Sequence, residues 1–279
     1  MMVACCYKSS FECGLRWESC RDFTRTQWLL PRWLFVFYRL VAFIYTWGFQ
    51  IYDWLVYLRP DSYAFVTNWT YLLLALYVLV ATGNLITDVV LDARGRPIKE
   101  TSTLALRYTV QWIFYDVLVM WSLIVAIVYW GFLFRENADI GEWVSDISIH
   151  LLPAVFSVIE LTITATPCLY KHIVYPITYG LMYLTFSVIY WATGSGITYF
   201  FLDYGENPVY AVIAVLGLTV ANFVIYTVVW ALTKLRQWIA KKTNGCRCGR
   251  RAGYDIEGNP VNQRVTNSER NEGNETHIF

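Results

Sequence analysis

Apolar residues gather in this chain into six long runs separated by short polar segments: Trp33 to Tyr57, Ala64 to Ile86, Val110 to Phe132, Ile147 to Ala165, Ile173 to Ala192 and Val209 to Leu232. Each approaches the roughly 20 residues that a helix needs to cross about 30 Å of hydrocarbon. The pattern predicts an all-α, polytopic membrane helix bundle with six transmembrane helices. Residues 1–32 then form an N-terminal tail bearing cysteines and arginines, 33–233 the membrane domain, and 234–279 a C-terminal tail, basic at first and disordered from Gly253 onward. That last stretch is rich in Asn, Glu, Gly and Ser, with too little apolar surface to offset the entropy of ordering.

Composition agrees with the runs. Hydrophobic residues make up 57% of the 279, aromatic residues 18% and charged residues 15%, outside the range of a soluble domain. The net charge of +1 says little, because its bearers are sorted by loop. Five lysines and arginines precede the first run, Arg94, Arg96, Lys99 and Arg107 fill the second loop, Lys171 lies in the fourth, and nine follow the last run. Arg59 and Arg135 alone fall in the remaining loops. The positive-inside rule therefore predicts that both termini are cytosolic. Arg39, inside the first run, is expected to snorkel to the headgroups.

Under this topology all seven cysteines face the reducing side, so disulfides are not expected. Cys5, Cys6, Cys246 and Cys248 lack the spacing and the neighbouring histidine of a zinc site. Beside a membrane, with Lys241, Lys242, Arg247, Arg250 and Arg251 near the second pair, they are candidates for palmitoylation; idle thiols are the plainer alternative. The loops opposite the tails are too short for an ectodomain. A large extracellular ligand and nucleic acid are both disfavoured as partners, which leaves the bilayer itself and cytosolic proteins that the tails could recruit.

Candidate chemistry comes from ionisable and hydroxyl groups placed where hydrocarbon penalises them. The fourth run carries His150 and Glu160, the second Thr70, the third Asp116, and Asp53 closes the first. If the second and fourth helices both enter from the same side, Thr70 and His150 share a depth. An imidazole could then serve as base for a threonine hydroxyl, with Asp53 as orienting group. Asp116 and Glu160 lie deeper, and Glu160, about 15 Å along the helix from His150 at 1.5 Å per residue, is expected to hold helices together or line a cavity. The bland readings are a threonine bonded to its own helix and a histidine resting at the headgroups. No Walker loop, GxSxG elbow, HExxH or dinucleotide fingerprint is present, so no cofactor or metal is expected.

Arg21-x6-Trp28 ahead of the first span, Thr67-Asn68-Trp69-Thr70, the stretch from His150 to Glu160, and Pro176-Ile177-Thr178-Tyr179-Gly180 together resemble the insect rolling stone family over nearly all of residues 15 to 240. That resemblance implies a multi-pass protein, expected at the plasma membrane, acting in myoblast fusion during muscle development. More distantly, Trp69-Thr70-Tyr71 and His150-x-x-Pro-x6-Glu160 resemble the androgen-induced and androgen-dependent membrane hydrolases. That likeness implies a threonine and histidine pair, Thr70 and His150 here, cleaving fatty-acid esters of hydroxy fatty acids.

Overall fold

A chain inside hydrocarbon must satisfy its own backbone polar groups, and helices do so within one segment. Among the described residues six helices are long and apolar enough to span: Arg32–Val56, Val66–Ala93, Leu106–Leu133, Trp143–Ile163, Tyr170–Ala192 and Pro208–Lys242. They coincide with the six apolar runs to within a few residues, except that the second continues past Ile86 to Ala93 and the last past Leu232 to Lys242. The structure, a computed structural model, describes residues 19–56, 61–96, 104–134 and 140–243.

The helical elements are α1 (Arg32–Val56), α2 (Val66–Ala93), α3 (Leu106–Val128), α4 (Ile140–Asp146), α5 (Leu152–Ile163), α6 (Val174–Ala192) and α7 (Pro208–Lys242). No strand occurs among the described residues, which hold only an isolated antiparallel bridge between Thr26 and Thr164. The fourth span is compound, with α4 running through a π-helical turn, Ile147–Leu151, into α5. A second π-helical turn, Tyr129–Leu133, ends the span of α3.

α3 is the centre of the bundle and packs against α2, α5, α6 and α7. Half of the most apolar window of α2 and of α3 is buried, against 22% or less for α1, α6 and α7. The outer helices therefore turn their Leu, Ile and Val faces outward, as with Leu55 at 82% and Val209 at 70% exposure, and lipid is the solvent that such a surface fits. Side-chain hydrogen bonds tie neighbouring helices together, as expected where no hydrophobic force drives association. Ser122 donates to Ser157 at 2.8 Å across α3 and α5, Trp47 to the Ala75 carbonyl at 3.0 Å across α1 and α2, and Trp121 to the Pro176 carbonyl at 2.8 Å across α3 and α6.

At the end of the bundle where both tails emerge, residues 19–31 fold back as a strap. The Gln27 amide donates to the Ile163 carbonyl at 2.8 Å and the Ala165 amide to the Arg25 carbonyl at 3.1 Å. Thr24 donates to Asp88 at 2.5 Å, and Gln111 to the Phe23 carbonyl at 2.8 Å. Phe23 and Cys20 bury themselves against Tyr108 and Trp112. Gly95, at φ +66°, supplies the left-handed residue that closes α2. We call this the strap end, and its opposite the far end.

Arg39 corrects one expectation. It does not reach toward headgroups: it is 1% exposed, and its guanidinium pairs with Glu160 at 2.8 Å inside the bundle.

Candidate functional site

The fourth span loses its regular pitch next to Pro153. Proline has no N–H to give the carbonyl four residues back, and the turn before it widens to π, with the Leu152 amide bonded to the Ile147 carbonyl. π turns inside helices concentrate at functional sites. The widening carries His150 toward α3, where its ring lies flat on that of Tyr129, centroids 3.5 Å apart and planes 7° off parallel. Tyr129 itself opens the other π turn, closed by the Phe134 amide bonding to the Tyr129 carbonyl at 2.8 Å. His150 Nε2 stands 4.0 Å from Asp146 one turn earlier, and Nδ1 is buried with no hydrogen-bond partner.

Thr70 faces another way. It is 1% exposed; its hydroxyl donates to the Val66 carbonyl at 2.9 Å and lies 3.4 Å from the Tyr179 hydroxyl of α6. Among the described residues no hydrogen bond joins Thr70 to His150. The helices that carry them do meet: Phe49, Gln50, Asp53, Asn68, Tyr71 and Ile149 line one narrow crevice. Asp53 is half-buried there, next to Ile149 rather than bonded to His150. So the structure gathers the Asp53, Thr70 and His150 segments at the far end, while the Thr70 hydroxyl turns to α6 and the His150 ring to α3.

Glu160 and Asp116 each anchor a buried polar node. Glu160 is fully buried and receives hydrogen bonds from Tyr38 at 2.7 Å, Tyr77 at 2.7 Å and Arg39 at 2.8 Å, so that α1, α2 and α5 converge on one carboxylate. The Arg39 guanidinium also lies within 5.1 to 5.8 Å of the ring centres of Phe35, Tyr38 and Tyr77, a favourable place for a desolvated cation. Asp116 meets His172 Nδ1 at 2.6 Å, linking α3 to the turn before α6, and Trp112 packs edge-on to that imidazole.

Five residues that make such buried polar contacts escaped reading from the chain. Arg39 looked like an interfacial cation, and Tyr38 and Tyr77 were lost among the 21 tyrosines. His172 had a visible signal, a second histidine opening a span next to Lys171. Arg236 was hidden among tail cations, yet it is 5% exposed and donates to the Leu161 carbonyl at 2.5 Å and the Thr166 carbonyl at 2.8 Å.

Among the described residues no group of three His, Cys, Asp or Glu side chains is placed to hold a metal ion. Cys20 and Cys168 are free and buried, and burial pushes the Cys168 thiol up, which makes it a poor nucleophile. The palmitoylation candidates Cys5, Cys6, Cys246 and Cys248 lie outside the described residues.

With the geometry in place, comparison with known proteins reaches most of the chain. A family model described as Protein rolling stone matches residues 8–247. Protein rolling stone of Drosophila melanogaster is 23% identical over 234 residues, which are 80% of this chain and 82% of that protein. No solved structure matches.

Proposed function

The chain belongs to the rolling stone family, and from that premise we propose that it acts in the fusion of myoblasts during muscle development. In this reading it is a multi-pass protein of the plasma membrane whose tails recruit fusion machinery from the cytosol. The family match over residues 8–247 carries the proposal. Its support from physics is twofold: lysines and arginines concentrate at the strap end, as the positive-inside rule requires of a cytosolic face, and the opposite loops are short. Contacts that matter to a partner are therefore sought on residues 1–32 and 234–279.

The experiment is rescue. Expressed in Drosophila myoblasts that lack rolling stone, this chain is expected to restore multinucleate fibres, scored as nuclei per fibre, and a version ended after Gln237 is expected to fail. Full-length protein that reaches the surface yet leaves cells mononucleate would overturn the reading.

Hydrolysis of fatty-acid esters by Thr70 and His150 gains no observation. A nucleophile and its base belong within about 2.6–3.2 Å of each other, whereas the Thr70 proton is directed to the Val66 carbonyl of its own helix. Thr70→Val and His150→Ala proteins are accordingly expected to keep rescuing fusion. Labelling of wild type but not of Thr70→Ala by a fluorophosphonate probe would reinstate the enzyme.

A further inference from the structure

Pairing inside the protein sorts the cations of the strap end. Asp22, Asp88 and Asp92 are acids of this end, and each is already matched: Asp22 to Arg25, Asp88 to Arg107, and Asp92 to both Arg21 and Arg32. Arg39 is committed to Glu160, and Arg236 to the carbonyls of Leu161 and Thr166. Arg94, Arg96, Lys241 and Lys242 stay exposed, with no acidic partner among the described residues. The exposed charge left over by this pairing is therefore of one sign.

The surplus stands on the perimeter, where the outward faces of two helices run out. On α2, exposed Ile86 and Val90 lead at four-residue steps to Arg94, which caps the helix. Residues four apart share a helix face, so the stripe that meets lipid ends in a guanidinium. α7 repeats the pattern. Its exposed Leu235 and Trp238 are followed on the same side by Lys242, whose ammonium lies 5.5 Å from the centre of the Trp238 ring. A tryptophan facing lipid at a helix end belongs at the boundary of hydrocarbon and headgroups. Depth agrees, because the 35 residues of α7 extend about 52 Å at 1.5 Å each, against about 30 Å of hydrocarbon. Lys241 and Lys242, its last residues, thus reach headgroup level.

We propose that the strap end binds anionic phospholipid headgroups, through Arg94 and Arg96 after α2 and Lys241 and Lys242 at the end of α7. Sign selects the class of lipid: a zwitterionic headgroup offers these cations no net attraction, whereas a negatively charged membrane surface attracts lysine and arginine placed beside a span. Position selects a lipid over a soluble acidic partner. Arg94 and Lys242 continue the stripes that face hydrocarbon, while the strap packs over the central helix α3 at Tyr108 and Trp112. The sequence extends the same charge, since Arg247, Arg250 and Arg251 come before the next acid, Asp255. This inference stands independently of the fusion role.

The test uses full-length protein in phosphatidylcholine vesicles carrying a trace of spin-labelled phosphatidylserine or spin-labelled phosphatidylcholine. Electron paramagnetic resonance reads the fraction of label held at the protein surface. Phosphatidylserine is expected to associate about twofold to fivefold more strongly than phosphatidylcholine at low salt, and to approach parity near 1 M salt, where the screening length is about 3 Å. Arg94→Gln, Arg96→Gln, Lys241→Gln and Lys242→Gln together are expected to remove most of that preference. Arg247→Gln, Arg250→Gln and Arg251→Gln together should leave more than half of it. Equal association of the two lipids with wild type, or a preference that the fourfold variant retains, would overturn the proposal. Parity between the lipids with salt-sensitive binding of polyglutamate would assign these cations to an acidic protein instead. The wild-type comparison decides even if a variant fails to fold.

Discussion

At the scale of single residues, the bundle is organised by what each buried charge is paired with. Glu160 takes a cation and two phenols at full burial, so removing it strands Arg39 in a medium that cannot solvate it. Breaking a buried pair from one side typically costs about 3–5 kcal/mol, while replacing both partners by apolar groups of similar size is often neutral. Glu160→Ala is expected to show that loss in detergent unfolding, and Arg39→Met with Glu160→Leu to recover most of it. A single Glu160→Ala protein as stable as wild type would mean that the ion pair does not form.

Cys168 gives a pH dependence at the same scale. Burial raises its folded-state pKa above the ordinary 9.0, so the unfolded thiol ionises first and the folded state is the one that holds its proton. The stabilising contribution is complete below about pH 9 and drains away as pH rises further. Maleimide labelling of Cys168 in native protein at pH 8 is expected to be negligible and to become fast on denaturation. Rapid native labelling would show that the loop opens.

At the scale of elements, close approach sets the packing. α6 lies against α3 at Gly180, where an added Cβ would come within 2.6 Å of the Trp121 ring. Overpacking of this kind costs about 1–3 kcal/mol. Gly180→Ala is expected to destabilise the bundle by that amount and to shift Trp121, whose indole also bonds the Pro176 carbonyl; unchanged tryptophan emission and stability would argue against the contact. The two π turns are the other feature of this scale. Pro153 gives the first of them a local cause, but the turn at Tyr129 has no proline beside it. Face-on stacking of Tyr129 and His150 depends on both. His150→Phe should keep the stack, whereas His150→Ala should lose about 0.5–1.5 kcal/mol, the usual worth of an aromatic pair.

At the scale of the molecule, the strap joins the first residues described to the last turns of α2 and α5. Arg21 and Arg32 both pair with Asp92, at 3.2 and 2.7 Å, and Asp88 gathers Thr24, Arg107 and Tyr108. Phe23→Ala opens the packing of the strap on Tyr108 and Trp112 and is expected to cost about 3–5 kcal/mol, read as a lowered melting temperature. Melting unchanged from wild type would show that the strap is decoration.

Span number, helical class and the rough position of every helix were legible along the chain, because hydrocarbon forces each crossing segment to advertise itself as some 20 apolar residues. The residues worth suspecting were legible too, since a carboxylate or imidazole in such a run is conspicuous by its cost. What each of them touches was not. That Thr70 turns to Tyr179, that His150 lies on Tyr129 and that Arg39 abandons the interface for Glu160 all depend on the rotation of one helix about its axis relative to its neighbours. A run that is apolar on every side carries little record of that rotation, so packing between helices settled what the sequence left open.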